Sequence, residues 1–227
     1  MKKMVLFILA ISWVNAGFYP TQTDTTITAV GTNSVTLSKA LSRKGMSGVV
    51  IHQFDTRLQA IVGYIAQSNG NSARTISGTA ITHTSLPSVK NSYRVGDSVI
   101  GGYMYDNILL LAPSEKVYAD IIRDSNKNWI HPDIFATFLS KNSQGLPTKE
   151  NLEIFAKEYQ VGLIYIVKKS VAILYDPITH SVVGKREFNT PITDIKAPFY
   201  MRLKSIKSGI FSTKSGGNYY QIMDSIK

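Results

Sequence analysis

The hydrophobic period of this chain first turns helical at Pro113, and that switch constrains the fold more than any other feature. Between Thr25 and Pro113, apolar and β-branched residues come in short runs broken by turn residues, which is the pattern of strands. Thr25–Val30 and Ser34–Ser38 flank a Gly31-Thr32-Asn33 turn signal, and Gly48–Phe54 and Leu58–Ala66 are further runs. Ser68–Ser72 reads as a loop and Thr75–Thr82 as its returning strand, whereas His83–Tyr93 has no period. Val95-Gly96-Asp97 leads into Ser98–Tyr105, and Asp106-Asn107 turns the chain into Ile108–Leu111. Short strands at this spacing predict a small antiparallel β-barrel or sandwich subdomain over residues 17–112.

After Pro113 the period is near 3.6. Ser114 is a candidate N-cap with Glu115 in the first turn, and Val117, Tyr118, Ile121 and Ile122 share one face. A second helix is predicted over Asp133–Ser140, and a third starts at Pro147-Thr148 with Leu152, Phe155, Ala156 and Tyr159 on one side. Gly162–Val167 is unbroken apolar sequence, the mark of a strand buried on both faces. Ser170–Tyr175 and Ser181–Phe188 pair across the Asp176-Pro177 turn. Residues 113–189 therefore read as a small α+β subdomain, and the chain as an α+β protein. Residues 190–227 are expected to form a basic, partly flexible C-terminal segment. It sets Lys196, Arg202, Lys204, Lys207, Lys214 and Lys227 against only Asp194 and Asp224.

The first residues read as an address. Lys2 and Lys3 precede an almost wholly apolar run from Met4 to Val14, and Val14-Asn15-Ala16 offers a small residue at −1 of a cleavage site before Gly17. This is the layout of a bacterial secretory signal peptide over residues 1–16, cut between Ala16 and Gly17. The apolar core is too short to span a bilayer, and no transmembrane helix is expected in the mature chain. An exported protein in the periplasm or at the cell surface follows.

Composition sets further limits. With 44% hydrophobic and 18% charged residues the chain is neither disordered nor fibrous. The absence of Cys excludes disulfides, thiol catalysis, thiolate-bound zinc and a lipid-modified N-terminal cysteine. Lys and Arg exceed Asp and Glu by 10, which suits acidic surfaces or solubility. Nucleic acid is not an expected partner of an exported protein, despite Tyr219-Tyr220 beside basic residues. His52, His83, His131 and His180 stand at no metal-ligand spacing, and no HExxH, GxSxG, GxGxxG or GxxxxGK occurs. The Lys207-Ser208-Gly209 and Lys214-Ser215-Gly216 triplets resemble one motif of penicillin-recognising serine enzymes, yet no Ser has Lys three residues on. Asp120 with Asp124 and Glu150 with Glu153 read as solvated helix charges rather than an acid/base pair. No enzyme activity, cofactor or metal is expected.

Several stretches, taken in order, match a known pattern. They are Val95-Gly96-Asp97, Asn107 through Glu115 with Tyr118, Phe138-Leu139, and Val161 through Val167. Lys185-Arg186-Glu187 and Pro198-Phe199-Tyr200 with Arg202 follow, and Lys44 through Val50 is an earlier, weaker part. Together, over roughly residues 40–205, they resemble the N-terminal domain of the bacterial plasminogen-binding proteins, a surface-protein family of host-associated bacteria. Members of this type continue into a long Lys/Glu-rich tail, which the sequence to Lys227 does not contain. The resemblance implies capture of host plasminogen through its kringle domains, which take an ammonium and a carboxylate held apart by an aliphatic stem. The candidate ligand-binding residues are then Lys227, which would supply all three groups at a chain end, and the internal Lys204, Lys207 and Lys214. The alternative is a periplasmic scaffold or envelope-assembly module, whose partners are other envelope proteins.

Overall fold

A computed structural model describes residues 17–76, 93–191, 193–206 and 218–226. The first half closes into a barrel. Strands β1 (Thr23–Val30), β2 (Ser34–Leu37), β3 (Ser47–Asp55), β4 (Leu58–Gln67), β5 (Ser72–Ile76) and β6 (Ser98–Gly101) run in the order β1-β2-β5-β4-β3-β6. Every neighbouring pair is antiparallel. Alternation decides which side chains fill it: along β1, Thr23, Thr25 and Ile27 point inward while their neighbours face out. Ile27, Val35, Leu37, Val50, Val62, Ile65, Ala73 and Val99 form its buried core. The expected barrel or sandwich is thus a barrel. The strand expected over Thr75–Thr82 is present as far as Ile76; its remainder and residues 83–92 lie outside the described residues.

The second half is a five-stranded sheet with helices. Its strands are β7 (Asn107–Leu111), β8 (Asn128–Ile130), β9 (Leu163–Val167), β10 (Val171–Asp176) and β11 (Ser181–Glu187), in the order β11-β10-β9-β7-β8. β7 is parallel to β8 and β9, and β9, β10 and β11 are antiparallel in turn. Parallel neighbours need crossovers, and helices supply them. α1 (Glu115–Arg123) joins β7 to β8, and α2 (Pro132–Lys141) and α3 (Lys149–Tyr159) join β8 to β9. The predicted cap is in place, with Val117 N–H donating to Ser114 Oγ at 3.4 Å, and at the expected start of the third helix Asn151 N–H donates to Thr148 Oγ1 at 3.2 Å. No helix among the described residues is long and apolar enough to cross a membrane.

Both faces of the sheet are covered, which explains why β9 contains no charged residue. Leu110, Leu163, Tyr165 and Val167 share a core with the barrel and with Val117, Tyr118 and Ile121 of α1. On the other face, Leu109, Leu111, Ile164 and Ile166 meet Phe135, Phe138 and Phe155 of α2 and α3. A fourth helix, α4 (Tyr219–Ser225), closes that face. Asn218 and Gln221 form its capping box, and the buried Tyr219 hydroxyl is shared between the carbonyls of Leu111 (2.8 Å) and Val167 (2.7 Å).

Candidate functional site

The barrel and the sheet meet at one carboxylate. Asp176 ends β10 and is fully buried. Its Oδ2 accepts the Tyr105 hydroxyl at 2.5 Å and the Ser47 N–H of β3 at 2.9 Å, while Oδ1 accepts Ile178 N–H (2.9 Å) and Thr179 N–H (3.1 Å). Thr179 Oγ1 adds a bond to the Gly45 carbonyl at 2.6 Å. Burial and then the Asp176 charge push the Tyr105 phenol well above its ordinary range, so it stays protonated and donating. Beside this knot lies a slot of about 120 Å³, lined by Ile61, Tyr64 and Tyr103 on one side and by Lys157, Gln160 and Val161 on the other. Two of its edges, Met104 (φ 65°) and Gln160 (φ 55°), are non-glycine residues in the left-handed region. Between them Gly162 packs against the Met104 backbone so closely that a Cβ would run into the Met104 carbonyl. The seam is built to lock two subdomains, and it aligns no nucleophile with a base.

A second cluster has the outline of a catalytic dyad without its geometry. His52 Nδ1 lies 2.5 Å from Asp97 Oδ1, and His52 Nε2 lies 3.0 Å from Arg94 Nη1. A guanidinium only donates, so Nε2 accepts and the ring proton sits on Nδ1, directed at Asp97. The nitrogen a nucleophile would need is occupied by Arg94. Asp97 Oδ2 also accepts Arg94 N–H at 2.8 Å, and the group clamps β3 to the turn before β6.

The lysine-bearing segment starts from a pinned loop. Phe199 is fully buried with its ring stacked on Phe135, and Tyr200 N–H donates to the Ala112 carbonyl at 2.8 Å. Arg202 donates to Asp133 twice, from its backbone N–H at 2.8 Å and its Nε at 2.7 Å. Burial alone would raise the Asp133 carboxyl, but the Arg202 N–H and guanidinium outweigh it and hold it below the usual range. Two residues on, Lys204 is exposed and forms no ion pair among the described residues. Lys207, Lys214 and Lys227 lie outside the described residues, as does Ala16. Gly17 is described, and its carbonyl accepts Arg43 Nη2 at 2.6 Å. The next residue, Phe18, is already in the core, edge-on to Tyr165 and 4.6 Å from the Arg186 guanidinium. Asp194 and Asp224, the acids nearest in sequence, are paired with Lys196 (2.9 Å) and Lys168 (3.4 Å).

The helix to which this loop is clamped starts at a pH-sensitive cap. His131 caps α2 by accepting Asp133 N–H on Nδ1 at 3.1 Å, which only an unprotonated Nδ1 can do. Burial lowers the His131 pKa, Asp133 opposes this and Arg202 adds to it. A lowered folded value means that stability from His131 is complete above the ordinary histidine value of about 6.5 and is lost as pH falls through the folded value. His131→Asn keeps a capping acceptor that does not titrate. Urea midpoints measured at about pH 7.5 and 5 should therefore differ less for His131→Asn than for wild type. An unchanged difference would exclude His131 as the titrating cap.

Residues 22–226 match the family described as plasminogen-binding protein pgbA N-terminal. No curated protein and no solved structure matches the chain. The matched span takes in the barrel, the sheet and the four helices among the described residues, so the chain belongs to the family of the plasminogen-binding protein pgbA N-terminal domain.

Proposed function

We propose that the protein is exported to the bacterial envelope and, at the cell surface, binds host plasminogen through lysines of the basic segment that begins at Lys204. Membership of the plasminogen-binding family carries this reading. The geometry supports it, because Arg202 is clamped to Asp133 while Lys204 stands exposed just beyond the clamp. Segment ends are anchored on both sides, by Ile206 against the sheet core and by the Asn218 capping box. With Asp194 and Asp224 taken by other lysines, Lys204 offers a kringle an ammonium and a stem with no carboxylate of its own. Binding is therefore expected to be spread over several lysines rather than fixed by one. The protein acts as a binding module and turns nothing over.

The test is binding of a kringle fragment to the purified protein, with a free lysine analogue as competitor. Replacing Lys204, Lys207, Lys214 and Lys227 together by Gln should weaken binding about tenfold or more, the scale of one or two lost charge-assisted contacts. Undiminished binding by that variant, or none by wild type, would sink the lysine reading. The same fragment applied to intact cells locates the site. Binding by purified protein but not by cells, with the protein spared by external protease, would place it in the periplasm as a scaffold.

A further inference from the structure

An open cleft of about 600 Å³ lies between the β4–β5 turn of the barrel and the start of β11. Lys44 and Arg74 line it, together with Ser68, Asn69 and Ser181. No carboxylate does. Every Asp and Glu of the chain falls within the described residues, so no Asp or Glu partner is hidden elsewhere. None of them pairs with Lys44 or Arg74. Other surface cations are paired, Lys116 and Arg123 with Asp120, Lys157 with Glu153 and Arg202 with Asp133, or stand singly like Lys204, whereas Lys44 and Arg74 line one cleft together.

The frame holding these two cations is rigid. Gly45, next to Lys44, donates its N–H to the Gln67 carbonyl at 2.9 Å and accepts Thr179 Oγ1 on its own carbonyl. Gln67 is buried and its amide is fully used, with Oε1 accepting Leu41 N–H at 2.7 Å and Nε2 donating to the Gly70 carbonyl at 2.7 Å. Arg74 stands on β5, in register with Ala66 of β4 and Ser34 of β2. Two like charges lining one acid-free cleft raise a positive potential there that an anion relieves. A guanidinium presents two parallel donors to an oxyanion and an ammonium adds a point charge, so one doubly charged group satisfies both.

We propose that this cleft binds a phosphate-bearing ligand, with Arg74 gripping two phosphate oxygens and Lys44 neutralising the second charge. A soluble phosphate compound and a lipid phosphate headgroup share that chemistry. The experiment uses the full chain at physiological ionic strength with two probes, pyrophosphate by calorimetry and phosphatidylglycerol vesicles by co-sedimentation against phosphatidylcholine vesicles. Binding of pyrophosphate identifies a soluble ligand, and binding of the anionic vesicles alone identifies a headgroup. In either case Lys44→Gln and Arg74→Gln should each weaken binding about tenfold, as expected for a lost charge-assisted contact. Lys141→Gln, at the exposed end of α2, should leave it unchanged. Both cleft side chains are exposed, so the variants are expected to melt as wild type does. Failure of both probes to bind, or equal binding by wild type and the two cleft variants, would overturn the assignment.

Discussion

Ile164→Asp is expected to leave the protein largely unfolded. Ile164 is fully buried in β9, the middle strand of the sheet, among the phenylalanines of α2 and α3. A carboxylate there meets no donor, so the substitution removes apolar burial and strands a charge or an un-ionised acid in a dry site. That costs several kcal/mol, against a total stability of about 5–15 kcal/mol for a domain. Ser170→Asp, on the exposed turn that follows β9, should stay within about 0.5 kcal/mol of wild type. Circular dichroism and urea titration read both. A cooperative, wild-type-like melt for Ile164→Asp would show that β9 is not buried on both faces.

Asp176→Ala should cost about 3 kcal/mol, because it leaves four donors from three parts of the chain without an acceptor. Asp176→Asn keeps the shape but turns one acceptor into a donor facing other donors, so it recovers only part of the loss. The seam is where the damage should show. Trp129 lies on β8 and reports the sheet side by fluorescence, while far-ultraviolet dichroism reports the whole fold. For Asp176→Ala the two transitions should separate, with barrel and sheet no longer melting as one unit. Coincident transitions at the wild-type midpoint would mean that the carboxylate does not couple the two halves.

What could be read from the sequence was what local chemistry encodes. Ser114 announces its helix because a cap and the turn that it serves are three residues apart, and Pro147-Thr148 marks where the third helix starts. β9 announces its burial because it has no charged residue to turn outward. Barrel and sandwich were indistinguishable because they share the same alternation and differ only in pairing; closure rests on β1 meeting both β2 and β6. β8, with three residues, is too short to carry a period. α4 was obscured by its basic, Ser/Gly-rich neighbourhood, since its anchor is one phenol reaching carbonyls 108 and 52 residues away. The sites divide in the same way. Lys204 was legible as an exposed cation, whereas the Asp133–Arg202 clamp spans 69 residues and the Lys44–Arg74 cleft exists only once the barrel meets β11. Asp176 carried a turn signal and nothing more.

The closed barrel also narrows how this protein can be recognised. A strand that is hydrogen-bonded on both sides has no main-chain donors or acceptors to lend, so the barrel offers no place for a partner's chain to extend it. In the other sheet the outermost strands are β8, which is three residues long, and β11, which carries exposed Lys185 and Glu187 along its rim. Charged side chains on such a rim discourage a second copy from zipping on, which protects a β-rich protein from self-association while it folds. Recognition must therefore run through side chains, and specificity can change by substitution of single surface cations without any change to the backbone scaffold.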